Sequence, residues 1–354
     1  MRAAELLSVQ DEARWGRALP ASECVFGSVE FAAVQRDLRG ADPRLFVLDS
    51  PHGPIAHPLL LRPIAGLDFD AGSSRDLFDA ATPEYTGPLA AGPLDDAARG
   101  AFADELSSWC AATGIVTEFG HLHPWKARTE LLDAAAIERE RELVYVDLTQ
   151  DPERMWRESF THAARKNVKR ARREGVRVYA AASEADVREL HRIYTLTMDR
   201  QGASERHYFP YEYFAAIRER LPDNSRILLA EHDGRVVAAT IYLHDSADAY
   251  SYLGGADHDA QRVRPTNAIV DEMIRWARAQ GKQRLILGGG YSRGDGIFRF
   301  KSSFSPLRAT FEVYRRVHIP DAYAALIEAW RGRHEGAPTD RGFFPPYRAP
   351  LRAV

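Results

Sequence analysis

Cysteine is almost missing from this sequence: Cys24 and Cys110 are the only two in 354 residues. They have neither CxxC nor zinc-ligand spacing, which argues against a disulfide-built scaffold and a thiolate metal centre and fits a reducing compartment. Long apolar runs are missing too, none approaching the roughly 20 residues that cross a bilayer. The opening Met1–Ser8 soon meets Asp11 and Glu12, so no secretory core is read there; a cytoplasmic protein without membrane insertion is expected. No short internal repeat is visible. What is present is ordinary for a soluble globular chain, 45% hydrophobic and 27% charged, and long enough for two domains.

Against a net charge of -3, one segment stands out. Arg165-Lys-Asn-Val-Lys-Arg-Ala-Arg-Arg173 carries six positive charges in nine residues. On a helix, Arg165, Lys166, Lys169, Arg170, Arg172 and Arg173 fall within about 160° of arc. Phe160, Ala164, Val168 and Ala171 fall on the other side, which predicts an amphipathic helix with one packed and one cationic face. Glu174-Gly175 supplies the stop, with cations in the last turn where the helix dipole favours them. A charge run alone reads as a solvated face; the sharper reading is a surface for phosphates, of nucleic acid or of a nucleotide-linked substrate.

The first half alternates strand and helix signals. Ser28 caps a helix to about Leu38, and strands Arg44–Asp49 and Ile55–Arg62 form a hairpin over His52-Gly-Pro54. Pro83 to Pro93 reads as a loop before helix Asp95–Thr113 and strand Ile115–Phe119. Glu138–Glu142 reads as a solvated charge run before strand Leu143–Leu148, and the domain boundary is expected near residue 150. The second half repeats the grammar: strand Val176–Tyr179, helices Glu184–Arg200 and Pro210–Arg220, then strands Arg226–His232, Val236–His244 and Ala249–Gly254. Helix Pro265–Gln280, strands Gln283–Leu287 and Ala309–Val317 around a glycine-rich loop, and helix Asp321–Arg331 complete it.

That order of elements resembles the acetyltransferase-type (GNAT) fold, and particular words resemble the narrower Fem (FemABX-like) family of aminoacyl transferases. They are Val144-Tyr-Val-Asp-Leu148, the basic segment through Val176, Thr82-Pro-Glu-Tyr-Thr-Gly-Pro88, His121-Leu-His-Pro124, Leu253-Gly-Gly255, and Gly288-Gly-Gly290 followed by Phe300-Lys301. The similarity spans about residues 25 to 320. It implies an α/β (α+β) chain of two GNAT-like domains with mixed, mostly antiparallel sheets flanked by helices. Residues 1–150 would form an N-terminal domain with the acceptor groove and 151–320 a catalytic, tRNA-facing domain, with 321–354 packing back on the first. It also implies transfer of an amino acid from aminoacyl-tRNA to an amine, forming a peptide bond on a peptidoglycan precursor or peptide natural product. The acceptor would be a small molecule or peptide, nucleotide-linked in some cases, and the enzyme a monomer with neither cofactor nor metal. An N-acyltransferase with another acyl donor and a non-catalytic tRNA binder are the alternatives. Acetyl-CoA-dependent relatives cradle a pyrophosphate on a glycine-bearing loop before the central helix. Here Ala260-Gln-Arg-Val-Arg-Pro-Thr-Asn-Ala268 has no glycine, and Pro265 removes a donor.

Residue by residue, the resemblance makes Lys301 the oxyanion stabiliser and Phe300 the ring that positions it; without it, the pair reads as a surface lysine after a core phenylalanine. Arg200, Arg206, Tyr208 and Tyr211 surround the loop where related enzymes hold the acceptor's diphosphate and peptide, and either arginine suits a phosphate. Tyr250 and Tyr252 share a strand face by alternation, and Tyr252 suits either the acceptor groove or sheet-face packing. Tyr85 and Glu84 stand where the family has acceptor contacts and an acidic residue. The six cations Arg165, Lys166, Lys169, Arg170, Arg172 and Arg173 would take tRNA or phosphate. His121 and His123 lack a third ligand and read as structural. Tyr314-Arg-Arg316 departs from the family pattern, which suggests a different or more anionic acceptor.

Overall fold

The computed structural model describes residues 4–70, 74–290, 294–334 and 343–349. Residues 291–293 of the glycine-rich loop, and 335–342 and 350–354 of the expected tail, lie outside it. The chain divides into two compact units, one of Met1–Pro20, Phe26–Glu140 and Phe311–Val354, the other of Ala21–Val25 and Arg141–Thr310.

In the first unit, β1 (Glu5–Ser8), β2 (Asp42–Ser50), β3 (Gly53–Pro63), β4 (Phe78–Thr86), β6 (Ile115–Leu122) and β13 (Arg308–Val317) lie side by side in that order, and the short β5 (Leu89–Ala90) adds to β3. Pairs are antiparallel except β4 with β6. Helices α1 (Glu12–Ala18), α2 (Val29–Arg39) and α3 (Asp96–Ala112) accompany the sheet. Ser28 and Asp95 cap α2 and α3 by accepting from Phe31 N at 3.2 Å and Ala98 N at 2.7 Å. Phe102, Leu106 and Cys110 of α3 pack on Phe46, Ile55 and Leu59. The last helix, here α10 (Pro320–Arg333), lays Leu326 and Trp330 on Ile64, Val116 and Tyr347 of this unit.

In the second unit the order is β7 (Ile137–Asp147), β12 (Arg284–Gly288), β11 (Asp248–Ala256), β10 (Arg235–His244), β9 (Ser225–His232) and β8 (Arg177–Ala180). All pairs are antiparallel except β11 with β12. A single turn α4 (Pro152–Arg154) runs into a π turn at Met155–Ser159, followed by α5 (His162–Arg173), α6 (Glu184–Gln201), α7 (Tyr211–Arg220), α8 (Pro265–Ala279) and α9 (Gly296–Ser302). Val144, Leu228, Tyr242, Ile269, Met273, Leu285 and Phe304 belong to its core. Among the described residues no helix is long and apolar enough to cross a membrane.

The mixed, mostly antiparallel α/β architecture is the one expected. Three local readings are corrected. The Pro83–Pro93 stretch contains the end of β4 and all of β5: Pro83 sits where β4 breaks register between Ala81 and Tyr85, and Pro88 and Pro93 lie outside both strands. Glu138–Glu142 is solvent-exposed as expected, but it belongs to β7, which starts at Ile137 rather than Leu143. Ala309–Val317, expected in the second domain, pairs through Glu312–Val317 with β6 of the first unit.

Candidate functional site

The site grows from a parting in the second sheet. β11 and β12 are paired only from Asp248 to Tyr250 against Arg284 to Ile286. Beyond Tyr250, β11 continues along β10 alone, while β12 keeps its pairing with β7. β11 also bulges here: Ser251 faces Tyr242 and Leu253 faces Ile241, so Tyr252 is the extra residue. The bulge breaks the alternation that put Tyr250 and Tyr252 on one face. Tyr250 is buried with its hydroxyl donating to Asp245 at 3.0 Å, whereas the half-buried Tyr252 meets the hydroxyl of Tyr213 at 2.7 Å. Gly255 is required by close approach, since a Cβ there would stand 2.0 Å from Thr197 Oγ1 of α6.

β12 ends in Gly288, whose φ of +82° suits glycine, and the chain then reaches α9. Asp295 caps this helix, accepting from Phe298 N at 2.7 Å, and crowds Gly290, where a Cβ would lie 2.5 Å from the carboxylate. A short helix, not a loop, therefore carries Phe300 and Lys301. The Lys301 ammonium donates to the Gly289 carbonyl at 2.7 Å. Burial pulls its pKa down to about 8 while the Asp295 charge opposes that fall. Phe300 places its ring edge-on to Phe304 at 5.4 Å, and Phe304 meets Phe160 at 5.3 Å. Backbone joins the same elements, because Thr161 N donates to Ser303 O at 2.9 Å and Thr161 caps α5.

The basic segment is the expected helix, with Ala164, Val168 and Ala171 buried. Its six cations are not equivalent. Arg165 turns back to donate to the carbonyls of Trp156, Arg157 and Phe160 and so closes the π turn. Arg172 donates to the buried Asp271 at 2.6 Å. Arg170 and Arg173 stand 3.6 and 3.5 Å from Glu174. Lys166 and Lys169 point to solvent. With exposed His162 and Arg173 they form a stripe at helical spacing. The solvent-facing cationic stripe is therefore narrower than the charge count implied.

The group around the α6–α7 connection separates. Arg200 donates to Ala256 O at 2.9 Å, at the end of β11, and exposed Tyr208 donates to Asp199 at 3.0 Å. Arg206 is exposed on the turn Glu205–His207. Tyr211 instead donates to Glu184 at 3.1 Å with Arg188 over its ring at 4.3 Å. Glu184 and Asp199 lie at opposite ends of α6, about 22 Å apart by helical rise, so Tyr211 is not gathered with Tyr208.

Glu84 and Tyr85 belong to the first unit. Glu84 has a φ of +41°, a strained conformation for this residue type. Tyr85 packs edge-on to Phe311 at 5.5 Å, and His121 stacks on the same ring at 5.2 Å. His123 accepts from Trp125 N and Lys126 N at 3.2 and 3.1 Å, a turn-forming role. Tyr314, Arg315 and Arg316 are engaged inside this unit with Glu118, Glu138 and Ser107, which removes them as a sign of an anionic acceptor.

Sequence reasoning missed the buried group around Glu118. Its carboxylate accepts from His57 at 2.6 Å, His318 at 2.8 Å and Tyr314 at 2.9 Å. Burial pushes its pKa up, but the His57 charge and the bonds from His318 and His57 outweigh this and hold it well below the usual carboxylate range. Cys110, Glu118 and His318 bring ligand-type atoms within 4.8 Å of one another. The direct bonds already satisfy the carboxylate, so a structural network is the better account. No sequence signal could have found it, because the partners lie 61, 196 and 200 residues from Glu118.

A parted sheet with a bulged strand, a short lysine-bearing helix and a preceding basic helix define a GNAT-type fold of Fem-like architecture. Residues 159–302 match the acetyltransferase (GNAT) domain family. The fold is shared with the crystal structure of FemX, at a TM-score of 0.69 and 12% identity, over 92% of this chain and 99% of that one. It is shared as well with a conserved protein of unknown function from Bacteroides thetaiotaomicron, at a TM-score of 0.58 and 10% identity, over 90% of this chain and 100% of that one. No curated protein matches the sequence. The domain match places residues 159–302 with acetyltransferase-type domains, and the solved structures share the fold of the chain. The stretch ahead of α8 does not fit the pyrophosphate of coenzyme A. Pro265 has no N–H, Asn267 N and Ala268 N donate to Arg264 O at 3.1 and 3.4 Å, and Ala260 and Val263 are buried.

Proposed function

We propose that this protein is a cytoplasmic, monomeric aminoacyl-tRNA-dependent transferase. It joins an amino acid through an amide bond to the amine of a peptidoglycan precursor or a peptide natural product. The observation that carries the reading is the junction of the basic helix with the lysine helix, where Thr161 N meets Ser303 O. A phosphodiester lying along His162, Lys166, Lys169 and Arg173 would thereby be led toward Lys301. The neutral acceptor amine attacks the ester carbonyl carbon, a C–N bond forms, and the carbonyl oxygen becomes an oxyanion. The ammonium of Lys301, already fixed on Gly289 O, meets that charge. Collapse breaks the C–O bond to the tRNA ribose, whose hydroxyl leaves with a proton, and the amine sheds its own. Arg200, Arg206, Tyr208 and Tyr252 are the acceptor-binding candidates of the second unit, and Glu84 and Tyr85 those of the first. The misfit of the α8 entry to coenzyme A supports tRNA as the donor over an acyl thioester.

The test is single-turnover transfer at saturating charged tRNA. Lys301→Met should lose about 10²–10³ in rate, with acceptor affinity unchanged, because the oxyanion exists only in the transition state. Normal turnover in a folded Lys301→Met protein would remove the lysine from the mechanism. Tight acetyl-CoA binding without tRNA binding would replace the donor.

A further inference from the structure

A cavity of ≈ 480 Å³ opens in the second unit where α4, the π turn, α5 and the end of α8 meet. Its size suits a small molecule, for which pockets of roughly 300–1,000 Å³ are usual. The apolar lining comes from Met155, Trp156, Phe160 and Ile274. Trp156 and Phe160 lie 5.3 Å apart and tilted, a curved surface rather than a flat slot. Arg172, Arg275 and Arg278 form the charged part of the wall, with Asp271 among them.

The arginines are positioned without being saturated. Asp271, its side chain only 8% exposed, accepts from Arg172 at 2.6 Å and pairs with Arg275 at 3.0 Å. Arg275 also reaches Glu272 at 2.9 Å, and Arg278 donates to the Gln150 carbonyl. Three guanidiniums against two carboxylates leave the wall positive, and five donors on each guanidinium leave N–H groups for an incoming oxyanion. An apolar floor under a cationic rim selects one kind of molecule and rejects its charge-reversed twin.

We infer that this cavity binds a small anionic amphiphile, a fatty-acid-like carboxylate. Its chain lies on Trp156, Phe160 and Ile274, and its head group is held by Arg172, Arg275 and Arg278. The site is separate from the Lys301 chemistry and stands whether or not tRNA is the donor. Arg172, counted from sequence among the tRNA-facing cations, is on this account a ligand of the cavity.

Isothermal titration of the full chain with sodium decanoate provides the test, with decylammonium and acetate as controls for charge and for the chain. Decanoate should bind saturably at one site, and both controls at least about tenfold more weakly, as loss of a charge-assisted contact implies. The Arg275→Gln/Arg278→Gln double variant should weaken decanoate by about tenfold to hundredfold. Ala279→Trp, at an exposed lining position, should block the mouth and abolish binding while the thermal melt stays near that of the parent protein. Equal binding of decylammonium, unchanged affinity in a folded Ala279→Trp protein, or no saturable decanoate binding at millimolar concentration would each overturn the assignment.

Discussion

Lys301 shows how one residue can be legible in identity and hidden in state. The pair Phe300-Lys301 after a glycine run was visible in the sequence, but the burial that weakens its hold on a proton comes from packing around α9. With a folded pKa of about 8 against an ordinary value near 10.4, the unfolded chain binds more protons between those limits. Stability therefore rises with pH through that window. Below it, the buried charge is a cost, so Lys301→Met should melt no lower than the parent at pH 7 even as transfer collapses. Catalysis has the opposite sign. On the proposed mechanism, the ammonium that would meet the oxyanion is lost as pH rises through about 8. Lys301→Arg should retain charge and move the alkaline limb of the single-turnover profile upward by more than one unit. A limb that stays near 8 in a folded Lys301→Arg protein belongs to another group.

Among the elements, α5 was the most legible, because a 3.6-residue period and a terminal stop are local properties of the chain. What its cations do was not local. Arg165 serves the turn before it and Arg172 a carboxylate 99 residues away, which leaves Lys166 and Lys169 as the solvent-facing lysines. Replacing both lysines with alanine should weaken tRNA binding and reduce the magnitude of its log–log salt slope by about 1.4–1.8, since each phosphate contact contributes about 0.7–0.9. Arg165→Ala should leave that slope nearly unchanged and lower the melting temperature, because three backbone carbonyls lose their donor. Filter binding at several salt concentrations separates the two. An Arg165 effect equal to that of a lysine would mean that its guanidinium faces RNA as well. The bulge in β11 was the reverse case: strict alternation was the correct local rule, and one inserted residue defeated it at Tyr252.

On the scale of the whole molecule, the types of elements and their succession along the second half followed from pattern and resemblance, while the division of the chain did not. The second unit is inserted into the first, which resumes at Phe311. Its last strand brings Tyr314, and the residue just past it, His318, to Glu118. Removing the charge from this buried centre should be expensive. Glu118→Gln is expected to cost about 3–5 kcal/mol by urea unfolding, the range for breaking a buried ionic contact. Because the native carboxyl is depressed, its contribution is present above the unfolded value and lost as the solution is acidified below about pH 4; a variant as stable as its parent at pH 7 and equally acid-resistant would deny Glu118 that role. The same insertion sets an order of assembly during synthesis. Every residue of the second unit leaves the ribosome before the first unit receives β13. Until then Glu118 has His57 alone, so the part of the chain made first is the part completed last.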